Sequence, residues 1–340
     1  MKQLKQHLPL LVVFFLALGV NLVYNLVVAN GYVASSDAAW YNQIAYTVAY
    51  HGCYCQYPGV QSISRPPLWP LILAIFYHLA PPVSFQQADA SIAVFYSRLF
   101  YSVLGSFTCV LVYLLARDLF GKRIGLITGC VAAFYPGIFI YDGWVYTESL
   151  YTFLVTAFTY SLYRLQRTGK LRWAAWSGVA LGLANLARPN GPVLLGMLII
   201  WAVGLILAKG VPWQTILKGV LLSGLVAAAI IAPWTYRNFQ VSGSYVMVSL
   251  GGGDVLLGAY NNNVASGSTG LWTSPRYVKP RPDVPPIVLA GHDAKGYTAA
   301  DDKLATNAAL QWIQSHLNEV PLLMFNRLKT MWTPFTAENA

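Results

Sequence analysis

The sequence predicts an α-helical, polytopic membrane protein, and three observations carry that prediction. Only 10% of the 340 residues are charged, and 56% are hydrophobic. A soluble domain has about 25% charged residues, so this chain cannot clothe itself in a solvated surface. Apolar runs of near membrane length recur at about 8–29, 92–116, 124–141, 149–163, 173–187, 191–208 and 214–233. Lysine and arginine gather in every second connector: Arg117, Lys122 and Arg123; Arg164, Arg167, Lys170 and Arg172; then Lys209 with Lys218. The net charge of +10 is therefore read as retention of cations on the cytoplasmic side, and not as a nucleic-acid footprint.

The first run, 8–29, is longer than a signal-peptide core of roughly 7–15 residues and long enough to span at about 20. It reads as an uncleaved helix with Lys2 and Lys5 in the cytoplasm. An outer loop, GYVASSDAAWYNQIAYTVAYHGCYCQYPGVQSISR, follows at 31–65. The next apolar stretch, 66–82, is closed by prolines at both ends. Its apolar core of about 14 residues is below the roughly 17 needed to cross. The alternation of basic connectors holds only if it does not cross, so it is expected as an interfacial helix within an outer segment 31–91. Seven spans result, forming a transmembrane domain over 1–233.

Beyond 233 the character changes. Alternating apolar residues, a glycine triplet at 251–253 and an asparagine run read as turns and short strands. Residues 275–296 read as loop. Residues 297–318 have helical periodicity, with Asp301 and Asp302 near the start, as the helix dipole prefers. The expectation for 234–340 is a small extracytoplasmic α/β region. Its last stretch, PLLMFNRLKTMW, resembles the approach to a further membrane helix, in a chain that is naturally short or truncated. The absence of an Asn-x-Ser/Thr sequon favours a bacterial inner membrane. Cys53 and Cys55 are either bridged or two free thiols; Cys109 and Cys130, inside apolar runs, are small core residues.

The candidates for chemistry lie at the outer edges of the spans. Asp37 is either a general base or the cap of a helix beginning at Ala38; the two readings are compatible. Arg65 stands before two prolines, where it either meets lipid phosphate non-specifically or grips a phosphate leaving group. Glu148 sits where an outer loop enters the next span, with Thr147 as a capping partner, and Asp142 nearby reads as a loop residue. Arg188 and Arg237 are outer cations that the positive-inside rule disfavours. Three such arginines beside outer acids suit an anionic, lipid-borne substrate. Tyr41, His51 and Trp69 are candidates for substrate contact, although an aromatic belt explains most boundary aromatics.

The stretches SDAAWYNQIAYTVAYHG, SRPPLWPLILAIFYHL, ARDLFGKRIGLITGCVAAFYPGIFIYDGWVYTESLY, LARPNG and APWTYRNFQVSGSYVMVSLGGGDVLLGAYNN stand in the order seen in membrane glycosyltransferases of the C-type fold (GT-C). The chain resembles bacterial relatives of the protein O-mannosyltransferases and of the lipid A aminoarabinose transferases. The resemblance implies transfer of a sugar from a polyprenyl-phosphate donor to a lipid, glycan or protein acceptor on the outer face. It marks Asp37 as base, Arg65 as a donor-phosphate contact and Glu148 as the second-loop acid, with Arg188 and Arg237 at recurring arginines. Ala38 stands where many members carry a second acid. No cofactor follows from the residues, and a divalent metal is used in some C-type families and absent from others. A flippase for lipid-linked sugars would instead place charges deep within the spans. A non-catalytic partner of a larger membrane assembly is a third reading.

Overall fold

The computed structural model describes residues 2–57, 59–80, 85–208, 211–267, 270–273 and 297–332. The chain divides into two compact units. One comprises 1–61 with 66–237, the other 62–65 with 238–340.

In the first unit, helix α1 (Lys2–Val23) runs on into one π-helical turn, Tyr24–Val28, closed by Ala29 N–H donating to the Tyr24 carbonyl at 2.8 Å. The outer segment contributes α2 (Asp37–His51), a two-stranded hairpin of β1 (Cys55–Tyr57) and β2 (Val60–Gln61), α3 (Leu68–Leu79) and a 3₁₀ turn at Phe85–Ala90. Cys53 and Cys55 are bridged across a Cα separation of 5.2 Å. Then come α4 (Ile92–Phe120), α5 (Lys122–Ala133), α6 (Pro136–Asp142), α7 (Glu148–Thr168), α8 (Leu171–Ala187), α9 (Gly191–Leu207) and α10 (Trp213–Ser242).

A helix thus occupies each predicted span. Three of them, His7–Val28, Ile92–Phe120 and Trp213–Ser242, are long and apolar enough to cross a membrane, and α5 with α6, bent by 48°, makes a fourth. Helices α8 and α9 have 17 residues each, a rise of about 26 Å against a hydrocarbon core of about 30 Å. Length alone does not make them spans. Helix α3, with 12 residues, rises only about 18 Å, so it cannot cross. It buries Trp69, Leu73 and Tyr77 and exposes Leu71, Ile75 and Leu79, the two-faced pattern expected of a helix lying along a surface.

One core joins α2, α3, α4, α7, α8 and α9 through Tyr41, Trp69, Tyr77, Tyr101, Leu154, Leu181 and Leu198. A second, around Val13, Cys109, Tyr113 and Ala133, joins α1, α4 and α5. Helices α8 and α10 meet through small polar residues: the Ser177 and Ser223 hydroxyls are hydrogen-bonded, and Ser223 Oγ donates to the Ala174 carbonyl at 2.9 Å. Small residues let helix backbones approach closely in a bilayer.

The second unit corrects the sequence expectation. Helix α10 continues to Ser242, and α11 (Gly252–Ala259) and α12 (Asn262–Ser266) occupy the stretch expected to form short strands. Among the described residues of 238–332 there is no strand, so the region is helical there and not α/β. The reason is capping by side chains. Asp302 Oδ1 accepts from the backbone N–H groups of Gly251 and Gly253 at 3.0 and 2.9 Å, satisfying the start of α11. Asn261 Oδ1 accepts from Asn263 N and Val264 N, capping α12. Helices Ala299–Ser315 and Val320–Met331 complete the unit. The first begins with a reciprocal capping box between Thr298 and Asp301, which the two early aspartates foreshadow. The Lys209 connector and the proline-rich stretch 275–296 lie outside the described residues.

Candidate functional site

Within the first unit, two loop-to-helix junctions and one interhelical turn bring Asp37, Glu148 and Arg188 together. Asp37 is the first residue of α2, and the residue before it, Ser36, is the N-cap position. Asp37 is therefore in the first turn and not the cap before Ala38. Ser36 has φ 55° and ψ −129°, the one non-glycine positive φ among the described residues. A conformation of this kind costs about 1–3 kcal/mol and persists where its surroundings over-determine it. Those surroundings are specific. Ala38 N–H donates to the Ser35 carbonyl at 3.1 Å, and Ala34 N–H to the Asp89 carbonyl at 2.9 Å. The Ser36 side chain lies near enough to the Tyr146 phenol of the second loop to favour its ionised form.

Glu148 is the first residue of α7, with Thr147 before it making no side-chain cap. Arg188 follows α8 in an extended conformation, φ −145° and ψ 136°. The proline that follows it imposes this, since the residue before proline is driven out of the helical region. The turn ends at Gly191, where a Cβ would lie 2.1 Å from Asn185 Oδ1, so any larger residue must displace the Asn185 amide. The result is an ion pair, Arg188 Nη1 to Glu148 Oε1 at 2.6 Å, with both side chains about a third exposed.

Burial alone would pull the Arg188 guanidinium down. The Glu148 bond and charge, with smaller contributions from Tyr41 and Asp37, reverse this and hold it above its ordinary value. Burial likewise pushes the Tyr146 phenol up; the Ser36 hydroxyl opposes this, while the charges of Asp37, Glu148 and Tyr141 add to it. Tyr41, one helical turn beyond Asp37, lies on the same face of α2 and is buried. The arrangement presents two carboxylates, one guanidinium and two phenols at one end of α2, α7 and α8. It can accept a proton and stabilise a developing anion.

His51, Trp69 and Arg237 have surroundings of their own. His51 ends α2, about 21 Å along the helix from Asp37 at a rise of about 1.5 Å per residue. Trp69 is fully buried, stacked on Tyr101 with ring centres 4.1 Å apart, and donates to the Val145 carbonyl at 3.0 Å. It supports the second loop from beneath and offers no free face. Arg237 packs over Trp234 and Tyr54, 4.8 and 5.3 Å from their ring centres, and donates to Gln61 Oε1 at 3.0 Å. It pins the hairpin to α10. Arg65, half-buried, belongs to the second unit. Asp142, expected in an outer loop, is buried at the end of α6 with its carboxylate against Gly105 of α4.

Ser36, Tyr146 and Arg98 escaped the sequence reading. Arg98 had a signal, a cation inside an apolar run. Ser36 and Tyr146 had none, because their roles depend on a contact between distant loops. Among the described residues no three of His, Cys, Asp and Glu come together to hold a metal ion.

No curated protein sequence matches the chain significantly. The sequence profile described as dolichyl-phosphate-mannose-protein mannosyltransferase matches residues 64–236, just over half the chain. That region includes Glu148, Arg188 and the helices that carry them. The chain therefore belongs to the dolichyl-phosphate-mannose-protein mannosyltransferase family, membrane glycosyltransferases whose sugar donor is a polyprenyl phosphate.

Proposed function

We propose that this protein transfers a sugar from a polyprenyl-phosphate donor to an acceptor hydroxyl or amine at the outer face of a bacterial inner membrane. Seven spans with the N-terminus inside complete this reading, with 66–82 on the outer surface. The observation that carries it is the grouping of Asp37, Glu148 and Arg188 at the ends of three helices, two of which lie in the family-matched region. Asp37 takes the proton from the acceptor. The acceptor atom bonds to the anomeric carbon as the bond from that carbon to the phosphate oxygen breaks. The electron pair leaves with the polyprenyl phosphate, and the anion so formed meets Arg188. Removing a preorganised charge partner of this kind costs about 10²–10³ in rate. Glu148 holds Arg188 in place and orients donor or acceptor. Arg65 and Arg237 are proposed as further phosphate contacts on chemical type.

The direct test supplies the full chain in nanodiscs with dolichyl phosphate carrying radiolabelled mannose, together with an envelope extract as acceptor. Label is expected to leave the lipid; retention of all label on the lipid with every acceptor fraction removes the reading. Sidedness is tested separately. A cysteine at the exposed Ser35, in a Cys53→Ser, Cys55→Ser background, should react with a membrane-impermeant maleimide in spheroplasts. Reaction only after lysis places Asp37 in the cytoplasm and contradicts it.

A further inference from the structure

Arg98 lies in the second turn of α4, and it is buried. Its Nε donates to the Gly143 carbonyl at 2.7 Å, and its Nη2 to the Asn25 and Ala29 carbonyls at 3.1 and 2.9 Å. Its guanidinium lies 5.2 Å from the centre of the Tyr32 ring. The Tyr32 hydroxyl in turn accepts from Val145 N–H at 3.4 Å. One turn further along α4, on the same face, Ser102 Oγ accepts from Asn25 Nδ2 at 2.8 Å.

Asn25 and Ala29 stand in and just after the π-helical turn that ends the first helix, where carbonyls lack helical partners. Asp37 follows Ala29 by eight residues, and Glu148 follows Gly143 by five. One planar fork of donors therefore holds the root of the loop leading to Asp37 and the root of the loop leading to Glu148. A buried guanidinium is costly, and a packing role alone does not call for one. Lysine supplies a point charge and cannot reproduce the fork.

We propose that Arg98 is a positioning residue that fixes the separation of the Asp37 and Glu148 loops. The roles of the two acids rest on the function proposed above; the link between the loop roots stands on the geometry alone. Arg98 touches neither donor nor acceptor, and it acts through the two backbones it holds.

The test uses Arg98→Gln and the conservative Arg98→Lys in the full chain, in nanodiscs, with two readouts. The first is amide hydrogen exchange. Exchange is expected to rise about tenfold or more in both 26–37 and 143–148, while α7 and α8 stay protected, which separates loop release from unfolding. Unaltered exchange in either loop overturns the proposal. The second is transfer of mannose from dolichyl-phosphate-mannose. The turnover number should fall about 10–100-fold with the donor KM unchanged, and lysine should recover part of it. A raised donor KM with unchanged turnover overturns the proposal, because it makes Arg98 a donor contact. A wild-type chain inactive on this donor refutes the functional reading, and hydrogen exchange then decides the positioning claim by itself.

Discussion

Arg188 closes on Glu148 at 2.6 Å, joining the end of α8 to the first turn of α7. The chain brings together two residues 40 positions apart because each stands at an abrupt helix end. The pair fixes an arginine whose guanidinium also feels the charge of Asp37.

The pair predicts a separation of effects. Arg188→Ala should lower transfer about 100-fold or more, as expected for loss of a charge that meets a developing anion. Glu148→Gln should lower it less, since the arginine remains. Both side chains are partly exposed, so thermal stability should move little. Parallel turnover and melting measurements check this; a large fall in melting temperature with turnover retained would make the pair purely structural.

The turn that presents Arg188 depends on the missing side chain at Gly191. Gly191→Ala puts a methyl group against Asn185 Oδ1 and should cost about 1–3 kcal/mol, the usual range for overpacking. Adding Asn185→Ala removes the obstructing amide and should restore part of the loss. Denaturation of the two variants in detergent decides it, and an Asn185→Ala background that gives no relief would place the clash elsewhere.

Asp89 links the turn before α4 to the first loop. Its side chain accepts from Asn42 Nδ2 at 3.2 Å, and its carbonyl accepts from Ala34 N–H. Burial pushes the Asp89 carboxyl above its ordinary value, and the Asn42 bond opposes this. A carboxyl raised on folding binds its proton more tightly in the folded state. It therefore contributes stability below about pH 4, its unfolded range, and that contribution is lost as pH rises through the folded value. Asp89→Asn should match the wild type near pH 4 and be the more stable of the two at pH 7. Melting curves across that window check the sign, and a variant less stable at neutral pH would reverse it.

Much of the helical organisation was legible because apolar periodicity and breaks are local. Each predicted span carries a helix, and α3 is too short to cross, as its proline-bounded length implied. The stretch 234–266 departs from the strand reading because glycine and asparagine are turn residues by propensity. Here Asn261 caps one helix start locally, and Asp302 caps the other from far along the chain, a contact that local pattern does not show. Asp37 and Glu148 could be singled out because acids stand out in an apolar chain, and each begins a helix. Burial of Asp142, the pairing of Arg188 and the stacking of Trp69 on Tyr101 depend on which helices meet, and spacing along the chain says nothing of that.

The central claim is that Asp37 takes the proton during sugar transfer. Its most direct measurement is single-turnover transfer of mannose from dolichyl-phosphate-mannose by the wild type and by Asp37→Asn, with donor binding followed in parallel. Loss of a positioned general base should slow the chemical step by about 10²–10⁴-fold and leave donor affinity intact. A single-turnover rate for Asp37→Asn equal to that of the wild type would contradict the account.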